Sequence, residues 1–486
     1  MSGFVGFASP STVLRSEAEH ARLQDTLAYA YTHGIIMGTK VPTNSSQSPS
    51  SPSSSSPSTS DTTIRVQHAP YALYPFRYPR HAFNLATSLA LPFNRLMSAI
   101  CRDPLWIQSV LAETVKADPF TARLLDLMAV VEAERLGQAS TTQTGAEAPA
   151  PGTYQAVCLG LLRSDYMLHS PHPSPCPNPN PHPDPILTSA PRALLQVEIN
   201  TIASSFGCIS SRVTDMCKTV DPGANPTPTP APNTYITSDI PDNCAVAGLA
   251  AAIHAAHQEW LKQFGDGLSG PVSVPTSAPT PTPNPAPTSS ASAVVLMVVQ
   301  PGEANFCDQR LLHFALKERH NTPCLRATLA DIHTHATYPG GKMMFAGAYV
   351  SVVYFRAGYQ PSDYPTETEW AARRAIERSL AIKCPDIYLH LAGTKKVQQE
   401  LARPAALERF VGPADCALIR QCFAGLYGLD SRADIDAARA LVQRDLAGYV
   451  LKPQREGGGN NFFGQQCSDM LHNMPLEELQ VGLILP

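Results

Sequence analysis

The stretch of this chain richest in chemistry is Lys452-Pro453-Gln454-Arg455-Glu456-Gly457-Gly458-Gly459-Asn460-Asn461. Three successive glycines let the backbone approach an anion closely and turn its amides toward phosphate oxygens. Lys452 and Arg455 add positive charge, while Glu456 and the two asparagines offer oxygen ligands to a hard cation such as Mg²⁺. A flexible turn is the bland alternative, but flexibility alone leaves the flanking charges and amides unexplained. The closing Gly-Lys-Ser/Thr of a P-loop is absent, and the spacing is not that of a dinucleotide fingerprint.

Further candidates are shorter. In Gln196-Val197-Glu198-Ile199-Asn200-Thr201, strand alternation puts Glu198 and Asn200 on one face, where they could share one hard cation. Taken alone, the motif reads more simply as a solvated polar strand face. Ala203-Ser204-Ser205-Phe206-Gly207 follows and suits a turn that holds a carboxylate by amides and hydroxyls. Arg163, after the apolar Leu161-Leu162, could clamp a carboxylate or phosphate with its planar fork; the plain alternative is an ion pair with Asp165. Arg356 stands just past another apolar run, where parallel α/β folds bind ligands. Lys395 could meet a nucleotide phosphate, or Lys395 and Lys396 could lie on a wet helix face. His333 and His335 are two residues apart, which is poor helical geometry for a metal, and no third ligand accompanies them. Cys384 reads as a buried structural thiol rather than a nucleophile.

These residues need elements to hold them. Arg80–Gly137 carries apolar residues at helical spacing and predicts two or three helices. Thr153–Met167 and Ala193–Thr201 predict strands separated by an insertion in a hairpin-type loop. Ala245–Phe264 predicts a helix, and the continuous apolar run Ala293–Val299 predicts a strand covered on both faces. Asp308–Arg319 and Thr366–Ile382 predict helices, and Cys324–Thr328, Tyr349–Phe355 and Tyr449–Lys452 predict strands. The strand–helix–strand order implies a parallel α/β unit. Four Pro/Ser-rich stretches, 41–63, 170–185, 222–233 and 269–292, break this pattern. Recurrent proline removes backbone donors, so they read as solvated, disordered insertions in surface loops.

Composition narrows the function classes. The chain has 486 residues, 36 basic against 40 acidic side chains, and a net charge of −4, which argues against a nucleic-acid or membrane-surface binder. No apolar run is long enough to span a bilayer. The cysteines form no C-x-x-C pair, so reduced, buried thiols in a reducing compartment are expected. The N-terminus lacks the pattern of a secretory signal. Glu17 and Glu19 directly after Arg15 weigh against a transit peptide, so a cytoplasmic location is favoured over a plastid one.

Together the segments LLRSDYM, QVEINTIASSFG, NFCDQR, VVYFRAGY, KCPDIYLHLAGTKKVQQEL and LKPQREGGGNNFFG resemble the eukaryotic-type glutathione synthetases, in family order, from about Tyr71 to about Gln465. The resemblance implies an α/β ATP-grasp fold, a homodimer, and ATP-dependent ligation of γ-glutamylcysteine to glycine with Mg²⁺. It implies Mg²⁺ ligands at Glu198, Asn200 and Glu456. It implies ATP contacts at Met167, Lys395, Lys452, Gln454, Arg455, Gly457, Gly458, Gly459, Asn460, Asn461 and Phe463. Arg163, Ser204, Ser205, Glu303, Asn305, Gln309, Arg356 and Tyr359 fall at positions lining the dipeptide and glycine sites, with Arg163 also stabilising charge in transfer. Ala203, Ala304 and Phe463 depart from the family pattern. The implied organisation is a catalytic body over 1–292, an inserted parallel α/β substrate-binding unit over 293–393, and an ATP-grasp portion over 394–486. Compared with the family, the chain is expected to stop before the adenine-binding hinge and the acceptor-closing loop. An inactive form, or a ligase using β-alanine or serine as acceptor, are therefore the alternatives to a glycine-using enzyme.

Overall fold

A computed structural model describes residues 17–42, 62–136, 154–169, 193–220, 237–265, 293–429, 431–453, 461–475, 479 and 482–485. Helix α1 (Glu17–His33) precedes a ribbon of β1 (Ile36–Pro42) and β2 (Thr62–His68). Helices α2 (Arg80–Ile100), α3 (Pro104–Leu111), α4 (Thr114–Ala117) and α5 (Pro119–Arg135) follow. Then come β3 (Arg163–His169), β4 (Ala193–Asn200), α6 (Gly207–Thr219) and α7 (Ala245–Phe264). The next group is β5 (Ala293–Val298), α8 (Phe306–His320), β6 (Cys324–Ala327), α9 (Leu329–His335), β7 (Met344–Phe345), β8 (Ala348–Phe355), α10 (Glu367–Arg378) and β9 (Ile382–Cys384). The remainder is α11 (Ile387–Ala392), α12 (Lys395–Leu401), α13 (Pro413–Ile419), β10 (Tyr427–Gly428), α14 (Arg432–Arg444), β11 (Val450–Pro453), β12 (Phe462–Phe463), α15 (Gly464–Asn473) and β13 (Gly482–Leu485).

The helices expected over Arg80–Gly137 are separated by two Asp-Pro pairs. Asp103 accepts the Trp106 amide and Asp118 the Phe120 amide, and Pro104 and Pro119 open their helices at the position where a missing N–H does no harm. α2 buries Ala82, Leu89, Phe93, Leu96, Met97 and Ile100, one stripe at helical spacing.

The central sheet runs β6-β5-β8-β9 with all neighbours parallel, and β7 pairs antiparallel with the start of β8. Every residue of β5 is buried, as its unbroken apolar run predicts. Its side chains divide by alternation. Val295 and Met297 pack with Ile253 and Trp260 of α7 and Leu312 and Leu316 of α8. Val294, Leu296 and Val298 pack on the other face with Ile332 of α9 and Ile376 of α10. A bulge opposite Val294/Val295 gives β8 one extra residue, Ser351.

Three expected boundaries move. The strand expected over Thr153–Met167 divides into two pieces. Residues 154–162 run along β9, through the Cys158–Lys383 bridge and the Leu159 amide on the Lys383 carbonyl (2.9 Å), and only from Arg163 does the chain pair with β4. The helix expected over Thr366–Ile382 ends at Arg378, because Ile382–Cys384 is a buried strand beside β8 whose apolar run also fits helical spacing. The stretch 41–63 contributes paired residues at both ends, Val41 with Thr63 and Pro42 with Thr62. The stretches 170–185, 222–233 and 269–292 lie outside the described residues. In the last sheet, β13 sits between β10 and β11, and β12 pairs with β11. No described helix is long and apolar enough to cross a membrane.

Ser351 generates a pH dependence. Its hydroxyl donates to the Val294 carbonyl (2.9 Å), so His257 Nδ1, 2.7 Å away, must be the protonated ring nitrogen that donates to it. Burial, with His254 nearby, pushes His257 down to about 4. The folded value lies below the unfolded one, so the unfolded chain binds the proton first and stability is lost as pH falls below about 6.5. The expected loss between pH 7.5 and 5 from this residue is about 2 kcal/mol. Urea midpoints at both pH values should show that much less acid sensitivity in His257→Gln than in the wild type; equal sensitivity would contradict it.

Candidate functional site

The antiparallel pair β3–β4 sets Arg163 opposite Asn200 and Asp165 opposite Glu198. Facing residues in such a pair project to the same side, so these four polar side chains form one patch. Arg163 lays its fork on Asp165, with Nε to Oδ1 at 2.8 Å and Nη2 to Oδ2 at 2.9 Å. The Asn200 amide bridges the carboxylates, its Nδ2 lying 3.3 Å from Asp165 Oδ2 and 3.4 Å from Glu198 Oε1. Asp165, read from sequence only as a possible ion-pair partner, is thus a full member of the cluster. The ion pair given as the plain reading of Arg163 is therefore present, and the register with β4 adds the contact to Asn200.

Helix α12 delivers Lys395 to this patch. Lys395 Nζ stands 3.5 Å from Glu198 Oε2, and the lysine side chain is 9% exposed. The placement depends on Gln398, whose Oε1 accepts the Ile199 amide (3.1 Å) and whose Nε2 donates to the Ile199 carbonyl (3.3 Å) and the Gly393 carbonyl (3.0 Å). A side-chain amide thereby occupies the edge of β4 that β3 leaves open. Gly393 permits the approach: a Cβ there would lie 2.1 Å from Thr201 Oγ1 and 2.9 Å from Thr201 Cγ2. Of the two readings left open for the lysines, the wet helix face is excluded, because Lys395 and Lys396 are both buried.

Lys452 enters from β11, where Leu451 packs into a core with Ile484 of β13 and Cys467 of α15. It is buried, and burial pushes its amine below the usual lysine range; Lys395 adds to this while Glu198 and Asp165 oppose it. Two carboxylates therefore face Arg163, Lys395 and Lys452, cations drawn from three separate segments. Gln454, Arg455, Glu456, Gly457, Gly458, Gly459 and Asn460 lie outside the described residues. Asn461 is half-buried, and Met167 and Phe463 expose large apolar side chains.

The other expected residues gather at the C-terminal ends of β5 and β8. Glu303 accepts the Asn305 amide (2.7 Å) and a bond from Gln309 Nε2 (3.3 Å), and Gln309 Oε1 accepts Arg326 Nη2 (2.5 Å). Arg356 is buried and donates from Nη1 to Asp308 (2.9 Å). The amides of Gly358 and Tyr359 both donate to Asp363. Ser204 uses its hydroxyl within the fold, on the carbonyls of Leu161 (3.2 Å) and Asn200 (3.1 Å), and so joins this group to the β3–β4 patch. Ser205 is half-buried in the same turn. Buried polar atoms normally have partners, yet Thr201 Oγ1, Thr394 Oγ1, Asn305 Oδ1 and Arg356 Nε have none. All four belong to the segments just described, and six further buried side-chain atoms among the described residues share the condition, Arg373 Nη2 and His390 Nδ1 among them. A separate cavity of about 530 Å³, between α2, α5 and residues 154–162, includes none of these side chains.

For a cation, the patch offers oxygen donors from Glu198 and Asp165, and from Asn200 once its amide turns over to present Oδ1. This donor set suits Mg²⁺ rather than a soft metal. Among the described residues no group of three or more acidic, histidine or cysteine side chains is arranged around an ion, and the third expected ligand, Glu456, is outside them.

The family of eukaryotic glutathione synthase ATP-binding domains matches residues 16–485, well beyond the span of the motifs. Glutathione synthetase from Solanum lycopersicum, described as chloroplastic, is 34% identical over 456 residues, covering 93% of this chain and 68% of the relative. The Dictyostelium discoideum glutathione synthetase is 32% identical, covering 94% and 81%, and that of Homo sapiens 34% identical, covering 86% and 74%. A solved apo structure of a glutathione synthetase-like effector from Globodera pallida superposes with a TM-score of 0.60 at 16% identity, over 96% of this chain and 80% of that one.

The contact between Gly393 and Thr201 gives a direct check of how α12 is held. Gly393 has φ −77°, a value any residue adopts, so alanine there should act purely by crowding Thr201. Gly393→Ala should destabilise the chain by about 1–3 kcal/mol, and adding Thr201→Ala should recover part of that. Strictly additive effects of the two substitutions on the unfolding midpoint would contradict the contact.

Proposed function

We infer, from the premise that the chain belongs to the eukaryotic glutathione synthase family, that this site joins γ-glutamylcysteine to glycine with cleavage of ATP. The chain is an ATP-dependent carbon–nitrogen ligase on an α/β ATP-grasp fold. The observation that carries the inference is the meeting of Arg163, Glu198, Asn200, Lys395 and Lys452 from three parts of the fold.

In this reading the cysteinyl carboxylate of the dipeptide attacks the γ-phosphorus of ATP, ADP leaves, and an acyl phosphate forms. The glycine amine then attacks the acyl carbon, the carbon–oxygen bond to phosphate breaks, and inorganic phosphate and a proton are released. Lys395 and Lys452 bind the phosphates, with Met167, Asn461, Phe463 and the loop 454–460 completing the nucleotide site. Their burial strengthens the attraction, since a low-dielectric wall screens charge less than water does. Glu198, Asn200 and Glu456 hold Mg²⁺, which when bound offsets the charge of the phosphates. Arg163, held through Nε and Nη2 on Asp165, turns its remaining N–H donors toward the charge developing in transfer. Glu303, Asn305, Gln309, Arg356, Tyr359, Ser204 and Ser205 bind the dipeptide and acceptor, and the unpartnered Asn305 Oδ1 and Arg356 Nε supply an acceptor and a donor for it.

Three further points belong to the same proposal. Residues 293–393, with their parallel sheet, form the substrate-binding unit between a body over 1–292 and an ATP-grasp portion over 394–486. The active species is a homodimer, which light scattering on the purified chain would check. The chain works in the cytoplasm, in keeping with cysteines that form no C-x-x-C pair. Acceptor choice between glycine, β-alanine and serine is read by supplying each in turn to the same assay.

Arginine at 163 is the sharpest test. Lysine keeps the charge but loses the planar two-pronged contact with Asp165 that orients the remaining donors. Arg163→Lys should lower kcat/KM on the order of ten- to hundredfold, with an unchanged melting temperature. Phosphate release dependent on both dipeptide and glycine is the measurement; unchanged kinetics in the variant would remove Arg163 from the transfer step.

A further inference from the structure

We propose that Asp308 is the positioning residue of the dipeptide half of the site, joining the Arg356 guanidinium and the 203–207 turn into one rigid wall. The proposal rests on the ligase reading given above and adds to it a residue that touches no substrate.

Asp308 lies in the first turn of α8 and its side chain is 2% exposed, against 3% for Arg356. Its Oδ1 accepts the amides of Cys208 (3.0 Å) and Ile209 (3.1 Å). Its Oδ2 accepts the amide of Phe206 (3.0 Å) and Nη1 of Arg356 (2.9 Å). A carboxylate offers about four acceptor sites, so these bonds leave none for a ligand. The three amides are the orphan donors at the start of α6. The residue at the cap position of that helix, Phe206, makes no side-chain cap, so Asp308 caps α6 from a different helix.

The turn before α6 cannot hold itself. Ala203 (φ 51°) and Phe206 (φ 68°) both occupy the left-handed region, which side chains other than glycine disfavour. Capture of the Phe206 amide by Asp308 fixes the far end of this turn, which carries Ser204 and Ser205. The same carboxylate anchors Arg356 through one nitrogen and leaves Nε unpartnered. Asp308 therefore sets the distance between the hydroxyl-bearing turn and the arginine. A substrate that bridges them senses Asp308 through geometry alone, whereas no bond of Asp308 reaches the nucleotide patch around Glu198 and Lys395, which the turn meets through Ser204 and Asn200.

The test uses the full chain and Asp308→Asn, which keeps the shape and one acceptor oxygen but removes the charge and presents an NH₂ to two of its four donors. KM for γ-glutamylcysteine should rise at least tenfold, with kcat within threefold and KM for ATP unchanged. A second variant, Asp308→Asn with Phe206→Gly, relieves the left-handed strain; it should regain melting temperature without regaining dipeptide affinity. Calorimetric titration with γ-glutamylcysteine reads that affinity without turnover. Dipeptide affinity equal to wild type in either folded variant, or KM values for dipeptide and ATP rising together, would overturn the positioning role alone. A wild-type chain that binds ATP and no γ-glutamylcysteine would overturn it together with the ligase reading.

Discussion

The edge of β4 that β3 does not cover would leave the Ile199 amide and carbonyl buried and unpaired, and the side chain of Gln398 answers both. Unpaired backbone groups in a dry interior are costly, so this pair of bonds fixes where α12 can lie. Once α12 is fixed, Lys395 is carried to Glu198, and Gly393 is pressed against Thr201. Strand pairing makes the polar patch on β3 and β4, and a backbone requirement met by one side chain brings Lys395 to it.

Burial of charge shapes the rest. Lys395 and Lys452 stand close enough to repel each other, with Glu198 and Asp165 opposing that repulsion, and Arg163 rests on Asp165. On the dipeptide side, Arg356 rests on Asp308, and Gln309 links Glu303 to Arg326. The two sides meet through the 201–206 turn, which leaves β4 at Asn200, bonds back to it through Ser204, and ends on Asp308. Such networks are rigid only when every member is satisfied. On the dipeptide side, Asn305 Oδ1 and Arg356 Nε are left without partners.

Much of this was legible in the sequence, and the reasons differ by element. β5 was legible because a strand covered on both faces must be apolar throughout. α7 and α8 were legible from helical spacing, and the facing of Glu198 with Asn200 from strand alternation. The joint between α10 and β9 was not, since Ser379–Cys384 satisfies both periods and only the neighbouring β8 decides. Asp165 and Asp308 were partly hidden, for another reason. The pairing of Asp165 with Arg163 was within reach of the sequence, but its contact with Asn200, and that of Asp308 with the amides of α6, come from partners far along the chain. Periodicity carries no information about such contacts. Gln398 likewise looked like an ordinary polar helix residue until the open edge of β4 gave it something to bind.

The central claim is that the backbone clamp on Ile199 holds the nucleotide patch together. Gln398→Met preserves the length of the side chain and removes both bonds to Ile199 together with the one to the Gly393 carbonyl, and the direct measurement is the dissociation constant for ATP by calorimetry. The account predicts weakening of at least about tenfold relative to wild type, since Lys395 loses its fixed position opposite Glu198. ATP affinity equal to that of wild type in a folded Gln398→Met chain would contradict it.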